Sequence, residues 1–117
     1  MNMKIDFNNQ KNTKLQLTEK NKSIFVEIEA ITYLQCDGYI TSIHLINEET
    51  VVVSKLLKHF EKELSVVDFK RVNHSTLVNL KHVTSIHTEN GQKLINIKDA
   101  TIKVSRRKSF LFNLNKN

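Results

Sequence analysis

Apolar and polar residues alternate along most of the chain, and helical spacing occurs only once at length. Leu15 and Leu17 share a face, so Lys14–Leu17 reads as an edge strand. Ile24, Val26 and Ile28 repeat the pattern and predict a strand over 24–28. Ile31–Cys36 and Tyr39–Ile46 read as two strands of a hairpin, with Asp37-Gly38 as its turn, because Gly accepts φ > 0 at little cost. Thr50–Val53 is short and apolar on both faces, which predicts burial on both sides. Ser54 is placed to cap a helix over Lys55–Leu64. Leu56, Leu57, Phe60 and Leu64 form its apolar face, while Lys58, Glu61 and Lys62 lie opposite. The charges on that polar face nearly balance, so it reads as a lid on a sheet and not as a helix for a DNA groove.

The second half centres on Phe69–Asn79. Phe69 and Val72 bracket Lys70-Arg71 in a short strand that departs from strict alternation. Asn73, His74, Ser75 and Thr76 read as a polar loop, Leu77 and Val78 return to the core, and Asn79 closes the unit. Leu80–His82 turns into a strand over Val83–Glu89, and Asn90-Gly91 is a second hairpin signal. Lys93–Lys98 returns, Asp99-Ala100 turns, and Thr101–Val104 runs to Ser105. Ser105 is placed to cap a final short helix in which Phe110, Leu111 and Leu114 pack inward. The sum is a mostly β domain of antiparallel strands with one or two short helices. The boundaries are a polar leader or linker over 1–23 and one folded domain over 24–117.

Composition narrows the function classes. Cys36 is the only cysteine, so no disulfide forms within the chain. No apolar run approaches the roughly 20 residues of a membrane span, and Met1–Lys14 has no apolar signal core. A cytoplasmic protein with no membrane partner is the expectation. The net charge of +6 is unevenly placed. Residues 1–68 sum to −2 and residues 69–117 to +8, a segregation that suggests a polyanion-binding face.

The five histidines show no metal-ligand spacing, and the basic half has only Glu89 and Asp99 as acids. No nucleophile–base set or Gly-rich phosphate loop stands out, so no enzyme, metal or cofactor is read. Arg106 and Arg107 follow Ser105 at a strand end. A guanidinium there can donate two bonds to guanine O6 and N7 or pair with a phosphate, and Ser105 at a helix start would leave N–H groups for another phosphate. His74 can make one bond to a base edge, not the bidentate pair that Arg makes. Alternatively, Asn73 and His74 only satisfy backbone groups of their turn. Lys70, Lys81 and Lys103 are candidate phosphate contacts or plain solvated charges.

Phe69-Lys-Arg-Val72 followed by Asn73-His-Ser75 and Leu77-Val-Asn79 resembles the signature of the LytTR family of bacterial DNA-binding domains. Ala30–Leu34 with Asp37-Gly38-Tyr39 is similar to that family's first hairpin, and Ile102–Arg107 to its closing strand and Ser-Arg turn. The likeness covers about residues 24–114 and departs at Asn73, where the family usually has His, and at His74, where it usually has Arg or Lys. The resemblance implies an elongated β-sandwich-like fold that binds double-stranded DNA through loops and acts as a bacterial transcription regulator. It implies Tyr39, His74 and Arg107 as base contacts, with Ile40 or Thr41 as alternatives to Tyr39. It implies Arg106 or Lys108 nearer the DNA backbone, and the backbone-contact candidates together are Lys70, Asn73, Ser75, Lys81, Lys103, Ser105, Arg106 and Lys108. Paired direct repeats would be the target, and a phosphorylated receiver domain or a partner regulator the source of control. The chain has no room for a receiver, so it reads as a stand-alone regulator or an excised C-terminal domain. One rival is a LytTR-fold interaction module that modulates a sister regulator. Another is a single-strand binder, which the few aromatics disfavour.

Overall fold

The structure is a computed structural model and describes residues 13–65 and 67–112. Among these residues, three antiparallel sheets are present. Strands β1 (Lys14–Glu19) and β2 (Lys22–Glu27) form a hairpin, so the edge strand expected at Lys14–Leu17 exists and is paired. The central sheet contains β3 (Ile31–Asp37), β4 (Ile40–Leu45), β5 (Thr50–Val53), β6 (Phe69–Asn73) and β7 (Thr76–Asn79). Its spatial order is β5-β4-β3-β7-β6. A small sheet, ordered β10-β9-β8, contains β8 (Ser85–Glu89), β9 (Gln92–Ile97) and β10 (Ala100–Lys103). Helix α1 (Leu57–Leu64) links β5 to β6, and 3-10 turns occupy Leu80–His82 and Arg106–Phe112. The molecule is elongated, 52 × 33 × 25 Å, and mostly β as expected.

Alternation along the central strands produces three layers. One face of the central sheet presents Leu34, Ile43, Val53, Phe69 and Leu77 to Leu15, Leu17 and Val26 of the β1–β2 hairpin and to Leu57, Phe60 and Leu64 of α1. On the other face, Val72 and Val78 meet Ile95, Ile97, Ile102, Val104 and Phe112 from the small sheet and its following turn. Asn79, 2% exposed, is the polar pin between strands. Its Nδ2 donates to the Ile31 carbonyl at 2.9 Å, and its Oδ1 accepts from the Lys81 N–H at 3.0 Å. That pairing satisfies a buried amide that would otherwise cost about 1–3 kcal/mol.

Several expectations are corrected. The helix begins at Leu57, and Ser54 does not cap it. The Ser54 N–H donates to Glu19 Oε2 at 2.9 Å, and the Lys55 carbonyl accepts from Thr41 Oγ1 at 2.6 Å, so tertiary bonds hold this segment outside the helix. Strand β5 is an edge strand and is not buried on both sides: Val53 is covered, but Val52 is 56% exposed. The small sheet packs under β3, β6 and β7 and leaves Val52 open. The polar loop at Asn73–Thr76 contracts to the two residues His74-Ser75, because Asn73 pairs with Thr76 and Thr76 is buried within β7. The terminal helix is a 3-10 turn in which Leu111 and Phe112 pack inward and Phe110 is exposed. Leu114 lies outside the described residues.

Candidate functional site

Three polypeptide turns converge at one end of the molecule. The β3–β4 hairpin reverses at Gly38-Tyr39, with Asp37 opposite Ile40 and Gly38 at φ 65°. The β6–β7 hairpin reverses at His74-Ser75. Since β7 pairs antiparallel with β3, with Gln35 opposite Thr76, both tips lie side by side. The Cys36 N–H donates to the Ser75 carbonyl at 2.9 Å and joins them.

The third segment is the exit from β10 into the Arg106–Phe112 turn. A β-bulge between Arg71 and Asn73 frees the Val72 carbonyl, which accepts the Ser105 N–H at 2.9 Å. Asn73 Nδ2 donates to the Lys103 carbonyl at 2.7 Å. Alternation itself holds as far as the bulge: Arg71, two residues from Phe69, faces α1, and Val72 faces the small sheet. An open groove of about 540 Å³ runs between these segments, lined by Gln35, Asn73, His74, Gln92, Lys103 and Ser105 among others.

The side chains at this end divide into braces and free groups. Asn73 is a brace: its Oδ1 accepts from the Ser75 N–H at 2.8 Å and the Ser75 hydroxyl at 3.3 Å, while its Nδ2 reaches β10. Ser105 is also engaged, since its hydroxyl and carbonyl both accept the Lys108 N–H, at 3.3 and 3.0 Å. Ser105 thus caps the start of the seven-residue 3-10 turn, as expected of it, and takes up the Lys108 N–H there. By contrast Tyr39 is 78% exposed, and His74, Arg106 and Arg107 are exposed. No hydrogen bond or salt bridge ties the side chains of these four residues among the described residues. The pattern leaves one phenol, one imidazole and two guanidiniums projecting from a braced end, with no acid paired to the arginines.

Other candidates are placed differently. Lys103 is exposed beside the groove, and Lys108 is partly buried just beyond it. Lys70 lies on edge strand β6, opposite Val78 and away from the tip. Lys81 sits beyond the far end of β7, roughly 15–20 Å from His74 at a strand rise of about 3.3 Å per residue. There its Nζ lies 4.0 Å from Asp68. Away from the tips, Tyr33 stacks on His44 with ring centroids 4.3 Å apart. Burial raises the Tyr33 pKa and lowers that of His44.

Arg71, Glu61 and Gln92 stand outside the candidates drawn from the sequence, yet each makes a bond at this end. Arg71 stands two residues from Phe69, so strand alternation places it on the α1 face, a signal that was present. Gln92 Nε2 donates to the Val104 carbonyl at 2.8 Å and fastens the β8–β9 hairpin to the same end. Nothing in its sequence context marks that role.

The family model for the LytTR DNA-binding domain matches residues 21–115. The chain belongs to the LytTR DNA-binding domain family. Membership assigns DNA binding and transcription regulation as the coarse function of this LytTR domain. A solved structure agrees in fold: the LytTr DNA-binding domain of a protein described as a methyl-accepting/DNA response regulator from Bacillus cereus. It superposes with a TM-score of 0.72 at 22% identity, covering 87% of this chain and 94% of that one. No curated protein matches significantly. Among the described residues, no helix of the LytTR domain is long and apolar enough to cross a membrane.

Proposed function

We propose that this LytTR domain binds double-stranded DNA in a sequence-specific manner, with Tyr39, His74 and Arg107 approaching base edges from the three convergent turns. The observation that carries this reading is the convergence itself. Antiparallel pairing and the Asn73 and Ser105 bonds hold the turns together, while the three side chains remain exposed and unpaired among the described residues.

Arg107 supplies a bidentate donor suited to guanine O6 and N7. The His74 ring supplies a nitrogen for one bond to a base edge, and the Tyr39 hydroxyl supplies one donor and one acceptor. Lys103, Arg106 and Lys108 provide positive charge beside them for phosphates, a term that sets affinity and register without reading sequence. Asn73, Ser75 and Ser105 contribute by shaping the turns, and Lys70 and Lys81 reach only phosphates that flank the main contact. Two copies on paired direct repeats, in a cytoplasmic regulator governed by a receiver domain or a partner regulator, complete the proposal.

The test is competition binding with a labelled duplex pool at several salt concentrations. The expected result is preference for duplex over single strands, a log–log salt slope steeper than about −3, and loss of affinity in Arg107→Ala. Preference for single strands would refute it. So would a stable complex with a second regulator in the absence of any DNA binding.

A further inference from the structure

We propose that Arg71 is a positioning residue for the His74 turn and that Glu61 of α1 holds it in place, an inference that rests on His74 reading a base. The Arg71 guanidinium is spread over three acceptors. Nη1 donates to Glu61 Oε1 at 2.6 Å, Nε to the Asn73 carbonyl at 3.1 Å, and Nη2 to the His74 carbonyl at 2.6 Å. The side chain is 21% exposed, so its bonds to the turn form in a partly desolvated setting.

The turn needs such support. Two-residue hairpin turns are usually fixed by positive φ at one or both central residues, which matches the twist of the strands. Gly38 and the Asn90-Gly91 pair satisfy that rule, but neither His74 nor Ser75 has a positive φ. The preceding bulge also removes the regular pairing of Val72. Side chains therefore hold the tip. Asn73 braces it toward β10, and Arg71 braces it from the helix side by gripping the carbonyls of Asn73 and His74. Fixing the His74 peptide plane fixes the direction in which its ring leaves the backbone.

The geometry requires a guanidinium. A lysine ammonium is a point charge and cannot span a carboxylate and two carbonyls in one plane. Glu61 in turn sits beside Phe60, which is 2% exposed and anchors α1 to the sheet. The orientation of a base-reading turn is thereby linked to the placement of a helix on the opposite face of the sheet from the small sheet.

The test is selection from a randomised duplex pool with wild type, Arg71→Lys, Glu61→Gln, His74→Ala and Arg107→Ala, together with affinity against salt. Both clamp variants are expected to fold and to keep the wild-type salt slope. They should keep the preference that Arg107→Ala loses. Arg71→Lys is expected to lose about tenfold in discrimination at the position that His74→Ala loses, the scale of one charge-assisted hydrogen bond. Glu61→Gln should weaken the same position to a smaller extent, and it decides the matter if Arg71→Lys does not fold. Unchanged discrimination at that position in the folded variants overturns the clamp, as does an equal loss at every position. If the wild type selects no motif, the base-reading function fails first and the clamp with it.

Discussion

Replacing Asn73 by Ala should loosen the interface and the fold together. The substitution removes the 2.7 Å bond to the Lys103 carbonyl and the 2.8 Å bond from the Ser75 N–H, along with a longer 3.3 Å hydroxyl contact. Neutral hydrogen bonds of this kind contribute roughly 0.5–1.5 kcal/mol each after exchange with water. Two good ones therefore imply a loss of about 1–3 kcal/mol. Urea unfolding followed by far-UV circular dichroism measures it, since the chain has no Trp. With an m-value of roughly 1–2 kcal/mol per molar, the midpoint should fall by roughly 0.5–3 M. Asn73→Asp separates the two halves: it keeps the acceptor toward Ser75 and loses the donor toward β10. A midpoint for Asn73→Ala indistinguishable from wild type would refute the reasoning, because the hairpin tip and β10 would then be held together by something else.

Other expectations follow from the same geometry. Leu77→Ala, at 1% exposure between α1 and the sheet, should cost about 2–5 kcal/mol in the same urea assay. Gly91→Ala should cost on the order of 1 kcal/mol, because Gly91 holds φ 80° in a hairpin turn; nothing lies within 4 Å of the added methyl, so the cost is backbone strain alone. Burial lowers the His44 pKa, so the folded state resists protonation. Its contribution is fully present above the unfolded value of about 6.5 and is lost as pH falls through the lower folded value. Wild type should thus lose more stability than His44→Gln between neutral and mildly acidic pH, and equal losses would contradict this assignment. Lys103→Ala should reduce the salt slope of DNA binding by about 1, while Lys81→Ala should change it less.

The hairpins were legible because their signals are local. Alternation marks the strands, and positive φ at Gly38, Asn90 and Gly91 appears where Asp-Gly and Asn-Gly stand in the chain. The three ordered motifs made the family legible as well. What escaped depends on distant partners. Ser54 looks like a cap, yet Glu19 takes its N–H and Thr41 ties down the following carbonyl. Val52 looks buried, but β5 lies at a sheet edge, and strand order is not written in a strand's own residues. Asn73 looks like a ligand-facing polar residue and Arg71 like a plain strand charge, yet the Asn73 amide bonds to the Lys103 carbonyl and the Arg71 guanidinium to Glu61. The bulge at Val72 leaves its carbonyl for the Ser105 N–H, and only the docking of β10 against β6 shows why it is there.

On the proposed function, three turns present base-reading side chains at one end of the domain. The most direct measurement is sequence selection from random duplex DNA by wild type and Arg107→Ala. A recovered motif is expected in the wild type, with preference lost at one position in Arg107→Ala and kept at the others. Recovery of the same motif by both proteins, or salt-sensitive binding with no motif in either, would contradict it.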